Sequence, residues 1–159
     1  MTCDLEAICL SWLRYERRCF LVACERLPNS WSYRPDIIGV QLNRTFIEIE
    51  VKRTWSDYLA NAKKREPWNY KPSQFYFACP SNLAQKIAED LVQRDSLAGV
   101  IQPADGFGIN SYTGLHFAAV TRKARLSPVA TKVRVSDVAR LVSCQSGTLC
   151  SAYCQLARK

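Results

Sequence analysis

Apolar residues near the start of the chain recur at intervals of three and four residues, which is the spacing of one face of an α-helix. The pattern predicts a helix over residues 4–18. Its buried face would consist of Leu5, Ile8, Cys9, Trp12 and Leu13. A short apolar run at residues 19–24 then predicts a strand.

The next segment alternates apolar and polar positions, as strands do. Residues 36–40 and 45–52 are predicted to be two strands joined by a tight connection at 42–44. Side chains along a strand point alternately to opposite faces. One face of the second strand is therefore apolar and β-branched, and suited to a core. The other face holds Phe46, Glu48, Glu50 and Lys52.

The remaining patterns predict two further helices and three further strands. The helices are expected at 54–65 and from Ser81, which would cap a helix that buries Leu83, Ile87, Leu91 and Val92. The strands are expected at 74–79, 100–102 and 115–121. A helix, three strands, a helix, a strand and a helix, followed by more strands, indicate the α/β or α+β class, with a mixed sheet flanked by helices.

Residues 122–159 differ from the rest because Asp137 is their only acidic residue. We predict one domain over residues 1–121 and a basic, largely helical C-terminal extension over 122–159. Either the extension packs on the sheet of the same domain, or it is an appendage for binding nucleic acid or for dimerisation. A homodimer is left open.

Charge and composition narrow the class of protein. The chain has 22 basic and 14 acidic residues and a net charge of +8, which favours a polyanionic partner such as nucleic acid. A basic but merely solvated surface is the alternative. No apolar run is long enough to cross a membrane, and charged residues early in the chain argue against a secretory signal. We therefore expect a cytoplasmic protein that does not act at membranes, with reduced thiols.

Metal and nucleophile motifs built on cysteine and histidine are weak. The chain has 8 cysteines but no Cys-x-x-Cys pair, and His116 is its one histidine. A structural zinc site needs four such ligands at suitable spacing. A catalytic triad would depend on that single histidine, which lies in an apolar, strand-like run. Carboxylate chemistry is the stronger interpretation.

The hairpin connection determines which carboxylates meet. A three-residue loop at 42–44 pairs Gln41 with Thr45, and the same register places Asp36 opposite Glu50. Directly opposed side chains share a face and lie about 5 Å apart. A loop of two or four residues would turn Asp36 to the wrong face unless a bulge corrected it. The sequence thus predicts that Asp36, Glu50 and Lys52 meet at one end of the hairpin.

Two carboxylates at that distance repel each other, and one would be driven towards its neutral form. Magnesium, which prefers a couple of carboxylate oxygens and several waters, would relieve the repulsion. Lys52 beside the pair could orient or deprotonate a water molecule and neutralise charge that develops on a phosphoryl oxygen. The alternative is an ordinary solvated set of cross-strand charges.

The motif resembles the signature of the PD-(D/E)XK nuclease superfamily. Arg34-Pro35-Asp36 is followed after thirteen residues by Glu50-Val51-Lys52, in a predicted order of elements that is similar to the αβββαβ core of that superfamily. Further stretches resemble the MmcB-like DNA repair endonucleases over residues 4–121. They are 52–58, 74–80 and 98–101, with Asn61 and Lys64. The chain departs from that pattern at Asn61, where an acid is expected.

The resemblance implies an Mg²⁺-dependent deoxyribonuclease, expected to be an endonuclease, with Mn²⁺ as a substitute ion. Asp36, Glu50 and the Val51 carbonyl would hold the metal, Lys52 would act on the water, and Glu6 would add a catalytic carboxylate from the first helix. A helix-dipole role for Glu6 is an equal alternative. Supporting roles are expected for Glu25, Glu48 and Asp57.

Basic and aromatic residues around the motif suit a DNA substrate, with branched and single-stranded forms left open. The candidate phosphate contacts are Arg34, Arg53, Lys63, Lys64, Arg65 and Lys71. Trp55, Trp68, Tyr70 and Tyr76 could stack on bases, although packing within the protein is the more frequent use of such residues. The alternatives to a nuclease are a non-catalytic nucleic-acid-binding protein on the same fold and a small interaction protein whose charges are structural.

Overall fold

The computed structural model describes residues 5–24, 35–62, 71–104 and 117–142, with the side chains of 61 and 62 left out. Helices and strands alternate along these ranges. The helices are α1 (Leu5–Ser11), continued by a π-helical segment (Trp12–Glu16), α2 (Trp55–Ala62), α3 (Ser81–Gln93) and α4 (135–142). The strands are β1 (Leu21–Cys24), β2 (Ile37–Val40), β3 (Phe46–Val51), β4 (Gln74–Ala78), β5 (Gly99–Pro103) and β6 (Ala118–Arg122).

The strands form one six-stranded mixed sheet in chain order. β1, β2 and β3 are antiparallel neighbours, β4 and β5 run parallel to β3, and β6 is antiparallel to β5. A parallel neighbour requires a crossover connection, and α2 lies between β3 and β4 in the chain. The predicted class, with a mixed sheet flanked by helices, and the predicted order of elements are confirmed.

One face of the sheet packs against α1 and the segment that follows it. All five predicted apolar positions of this helix are buried: Leu5, Ile8, Cys9, Trp12 and Leu13. Four of them, all except Ile8, pack with the inward face of β3 at Ile47, Ile49 and Val51, as alternation predicts. The helix is shorter than predicted because the chain turns at Arg18, whose φ is 53°, and the Cys19 amide then bonds to the Leu13 carbonyl at 2.9 Å.

The other face is covered by two groups of elements. Over β4 and β5, Tyr58 of α2 and Ile87 of α3 pack on Phe77. Over β1, β2 and β3, Val133 and Leu141 pack on other apolar side chains. Those side chains are Leu21, Ala23, Ile38, Val40 and Phe46. Part of the C-terminal extension therefore covers the sheet, while β6 runs through the expected boundary at residue 121; the division into two domains stays a prediction.

The packing on both faces of the sheet corrects some predictions of which side chains are buried. Glu48 is fully buried, because packing covers both faces of β3. In α3 the buried positions are Ala84, Ile87, Ala88 and Leu91, and Val92 is 65% exposed instead of buried. Ser81 is the first helical residue and makes no capping bond, since Pro80 occupies the N-cap. Small alanines let α3 lie close to the sheet, which the predicted stripe of larger residues did not indicate.

No helix in the described ranges combines the length and apolarity needed to cross a membrane.

Gly39 in β2 permits the close approach of the first helical layer to the strand that leads from Asp36. A Cβ at this position would lie 2.8 Å from Cys19 Sγ and 2.8 Å from Leu13 Cδ2. We expect Gly39→Ala to lower the free energy of unfolding by about 1–3 kcal/mol through overpacking, measured by urea denaturation. Adding Cys19→Ala should recover part of the loss. An unchanged urea midpoint for Gly39→Ala would contradict this packing.

Candidate active site

The β2–β3 hairpin has the register that the sequence predicts. The Gln41 amide donates to the Thr45 carbonyl at 2.9 Å, which closes a loop of three residues, 42–44. Arg44 at its end has a φ of 66°, as such loops require. Ile37 pairs with Ile49 and Val40 with Phe46. The predicted loop is confirmed, and the same register places Asp36 opposite Glu50.

The carboxylates of Asp36 and Glu50 converge at the open end of this hairpin. Asp36 Oδ2 accepts a hydrogen bond of 2.7 Å from the Val51 amide, and the Asp36 amide donates to the Glu50 carboxylate. Burial raises the pKa of the Glu50 carboxyl above its ordinary value, and the negative charge of Asp36 raises it further. Lys52 opposes both effects. The structure thus brings together two acidic groups that repel each other.

The Lys52 ammonium lies between two carboxylates. Its Nζ is 3.3 Å from Glu50 Oε2 and 3.7 Å from Asp57 Oδ1. The lysine side chain is 8% exposed, whereas that of Asp57 is 49% exposed. Asp57 comes from the first turn of α2, where its amide donates to Thr54 Oγ1 at 3.2 Å. The end of β3 and the start of α2 together therefore hold the amine beside the acidic pair.

Pro35 affects which main-chain atom faces the pair. In an antiparallel ladder, hydrogen-bonded pairs alternate with pairs that are not hydrogen-bonded. Gln41 and Thr45 are a hydrogen-bonded pair, and the register of β2 and β3, continued past Ile37, makes Pro35 and Val51 another. Proline has no N–H, so it cannot donate to the Val51 carbonyl. The Val51 amide bonds instead to Asp36. The N–H and C=O of one strand residue point the same way, which directs the Val51 carbonyl towards the Asp36 side.

Glu6 and Arg53 form an ion pair at the edge of this region. Both Arg53–Glu6 hydrogen bonds come from Nη2, at 2.8 Å to Oε1 and 2.9 Å to Oε2. The two side chains are 57% and 38% exposed. The pair brings the first helix close to the residue that follows Lys52. The predicted roles of Glu6 in catalysis and of Arg53 in phosphate contact stay predictions.

Glu48 occupies a different environment from Glu50, although they share a face of β3. It is opposed by Ile38 on one side and Phe75 on the other, and it is fully buried. Its environment suits a supporting residue beneath the pair rather than a group in contact with a substrate. That role stays a prediction.

Several predicted residues lie elsewhere. Lys71 is exposed at the opposite end of the sheet, before β4. Tyr76, a candidate for base stacking, is fully buried and packs its ring on Trp12 at 5.2 Å, so it belongs to the core. Trp55 is partly buried beneath Lys86, whose Nζ lies 4.2 Å from the ring centroid. Candidates outside the described residues are Glu25, Arg34, Lys63, Lys64, Arg65, Trp68, Tyr70 and His116.

Sequence reasoning missed a contact that fixes α2, and with it Asp57. The Tyr58 hydroxyl donates to Asp90 Oδ2 of α3 at 2.5 Å, and the Tyr58 ring packs edge-on against Phe77. These residues are 32 positions apart in the chain. No local pattern links such positions, so only the folded structure identifies the contact.

The set of groups fits a magnesium ion better than a softer metal. Among the described residues, no group of three or more His, Cys, Asp or Glu side chains could hold a metal ion. Magnesium, however, uses one or two carboxylates and keeps several waters, and Asp36 and Glu50 with one carbonyl suit that preference. Burial raises the pKa of Cys19 to about 11 and that of Cys79 to about 12, which makes these two thiols poor nucleophiles.

The comparisons with known proteins concern the fold alone. No family model and no curated protein matches the sequence. The structure is similar to that of SPO1766, a protein of unknown function from Silicibacter pomeroyi, with a TM-score of 0.55 and 17% sequence identity. The similarity covers 98% of this chain and 89% of that one. It supports the mixed α/β architecture of the described residues.

The burial of Glu50, together with the negative charge of Asp36, has a consequence for stability. Because the folded-state pKa of Glu50 lies above its ordinary value of 4.5, the folded protein keeps this proton to higher pH than the unfolded chain. The associated stability is fully present below about pH 4.5 and is lost as pH rises through the folded-state pKa. We expect Glu50→Gln to be more stable than the wild type at pH 8 in metal-free buffer, with the difference shrinking towards pH 4.5.

Denaturant unfolding across that pH range measures the effect. Glu89→Gln is the matched control, because Glu89 is exposed on α3. A Glu50→Gln protein that is less stable than the wild type at pH 8 would show that burial and the charge of Asp36 do not disfavour the ionised Glu50 carboxylate in the folded state.

Proposed function

We propose that this protein is an Mg²⁺-dependent nuclease that hydrolyses DNA phosphodiester bonds. The observation that supports this most is the meeting of Asp36 and Glu50 at the end of the hairpin, with the raised pKa of Glu50. Lys52 forms an ion pair with Glu50, yet the pKa of Glu50 stays above its ordinary value because of burial and the charge of Asp36. A bound cation would offset the negative charge that the single ammonium leaves.

The proposed metal ligands are the carboxylates of Asp36 and Glu50 and the Val51 carbonyl. Two contacts support this set: the Asp36 carboxylate already reaches the Val51 amide at 2.7 Å, and Pro35 cannot bond to the Val51 carbonyl. When bound, magnesium supplies a water of lowered pKa and stabilises negative charge on a phosphoryl oxygen. The same ion would lower the free energy of ionised Glu50.

Lys52 is the proposed partner of the attacking water. Its ammonium is held by Glu50 and Asp57, which restricts the rotamers of a long side chain before the substrate arrives. An ammonium in this position donates hydrogen bonds that orient a water molecule and offset the charge of the pentacovalent phosphorus. Asp57 is a positioning residue, since it acts through Lys52.

The finer fold assignment belongs to the same proposal. The order α1, β1, β2, β3, α2, β4, with β4 parallel to β3, agrees with an αβββαβ core of the PD-(D/E)XK kind. A net charge of +8 suits a polyanionic substrate. The resemblance of residues 4–121 to DNA repair endonucleases points to DNA and to internal cleavage. Arg53 would exchange its exposed partner Glu6 for a phosphate.

We expect Asp36→Ala, Glu50→Ala and Lys52→Ala each to reduce DNA cleavage by at least ~100-fold, because each removes a group that acts in the transition state. The assay is cleavage of plasmid, branched and single-stranded DNA with Mg²⁺ or Mn²⁺, repeated with chelator. Circular dichroism and DNA binding without metal should stay close to wild type.

Glu89→Ala is the matched control and should cleave like the wild type. Cleavage that survives in any two of the three site variants, or that persists in chelator, would overturn the proposal. DNA binding by a wild-type protein that cuts none of the substrates would favour the non-catalytic alternative.

Metal binding itself should be visible without any substrate. We expect Mg²⁺ at 100 times its dissociation constant to stabilise the wild type by about 2.7 kcal/mol, measured by urea denaturation with and without chelator. Asp36→Asn should abolish the effect, while Asp57→Asn should preserve it. Equal stabilisation of wild type and Asp36→Asn would place the ion elsewhere.

A further inference from the structure

The C-terminal extension crosses the end of the sheet opposite to the candidate active site. The Arg125 amide bonds to the Leu97 carbonyl, just before β5, and the Ser127 amide bonds to the Ser73 carbonyl, just before β4. The Val133 amide then bonds to the Arg44 carbonyl, just before β3, at 2.8 Å. Residues 125–133 therefore run across the amino ends of the three parallel strands.

This path gathers four basic residues from three distant parts of the chain. The Thr131 amide bonds to the Lys71 carbonyl at 2.9 Å, and the Lys71 amide bonds to Thr131 Oγ1 at 2.6 Å. Lys132 thus lies between the backbone contacts of Lys71 and Arg44. We call the exposed set Arg44, Lys71, Lys132 and Arg134 the basic end surface.

The described segments that form the basic end surface, 41–46, 71–74 and 126–136, contain no acid, and Asp137, which follows the last of them, is 2% exposed. The ion pairs of the described residues involve Lys52, Arg53, Arg94 and Arg125, none of which belongs to the surface. Mutual repulsion of four cations on one rigid end is unfavourable for folding, and an anionic partner removes it.

The neighbouring Arg125 differs from the basic end surface because an acidic residue neutralises its charge. It lies on the same segment, and its Nη2 is 2.7 Å from Asp95 Oδ1. Arg125 is thus paired with an acid, whereas none of the ion pairs of the described residues involves the basic end surface. A local excess of this kind is a surface feature, distinct from the general basicity of the chain.

We propose that the basic end surface binds the phosphodiester backbone of a DNA duplex on one side of the cleavage position. This inference rests on the proposed nuclease function for the identity of the polyanion. Phe46 is the only aromatic residue in the three described segments and is fully buried, so these segments offer charge to phosphates and no exposed ring for stacking on unpaired bases.

The geometry sets the length of DNA required. β3 has 6 residues and joins the two ends of the sheet, which at ~3.3 Å per residue is about 20 Å. At ~3.4 Å per base pair this corresponds to about six base pairs. The contacted phosphates therefore belong to a duplex arm that begins about half a helical turn from the cut.

The test is the salt dependence of DNA binding by the full chain without divalent metal, followed by fluorescence anisotropy. Lys132→Gln/Arg134→Gln should weaken binding to a long duplex and reduce the slope of log K against log salt by about 2. Lys123→Gln/Arg125→Gln removes the same charge at and just before the start of this segment, where Arg125 is paired with Asp95, and should change the slope far less. Circular dichroism establishes that both proteins fold.

Three outcomes would overturn the proposal: an equal loss in the control variant, an unchanged slope in the surface variant, or an equal loss for single-stranded DNA. Shortening the duplex arm below about six base pairs should remove the difference between wild type and surface variant. The assay needs no cleavage, so it tests the surface separately from the nuclease activity. A protein that binds duplex DNA in this way but cleaves none would contradict the nuclease proposal and support the DNA-binding surface. A protein that cleaves DNA but lacks this binding behaviour would support the nuclease proposal and contradict the surface.

Discussion

Repulsion between Asp36 and Glu50 is the interaction on which the rest of the account depends. Both carboxylates are held by the backbone of one hairpin: Asp36 by the Val51 amide, and Glu50 by the Asp36 amide. Neither can move away without breaking a hydrogen bond. Ionising both groups is therefore unfavourable without a cation, and Lys52 offsets only part of this cost. A site with this balance favours a cation over a neutral ligand.

The surrounding sheet makes this repulsion effective. β3 lies between two layers of packed side chains, one built by the first helix on one face and the other by Val133 and Leu141 of the C-terminal extension on the opposite face. Water is excluded from the strand as far as Glu48, which is fully buried. Charges close to such a boundary interact more strongly than charges in open solvent. The extension thus contributes to the electrostatics of the site as well as to the core.

The hairpin was predictable because its register depends on a short loop and a local alternation. Gln41, Thr45 and the three residues between them are sufficient to pair Asp36 with Glu50. The apolar stripe of α1 was predictable for the same reason, since its period lies within one element. The burial of Glu48 was not predictable, because it depends on other elements: Ile38 and Phe75 oppose it on the two flanking strands, and Val133 and Leu141 pack on the face of the sheet that it shares with Phe46.

Other features also depend on tertiary contacts. Tyr58 reaches Asp90, and Thr131 pairs with Lys71, only once the sheet has assembled. No spacing in the sequence links these residues. A residue such as Lys132 therefore gives no local sign of the neighbours that make it part of a basic surface. Conversely, Tyr76 has the composition of a base-stacking residue but is fully buried, because it lies on a parallel strand covered by Trp12.

The most direct test of the central claim is the position of a bound ion in crystals soaked with Mn²⁺, located by anomalous diffraction. The account predicts one peak coordinated by the carboxylates of Asp36 and Glu50 and by the Val51 carbonyl, with Lys52 close enough to reach a coordinated water. Well-ordered Asp36 and Glu50 side chains that point away from each other, with no peak between them, would contradict it.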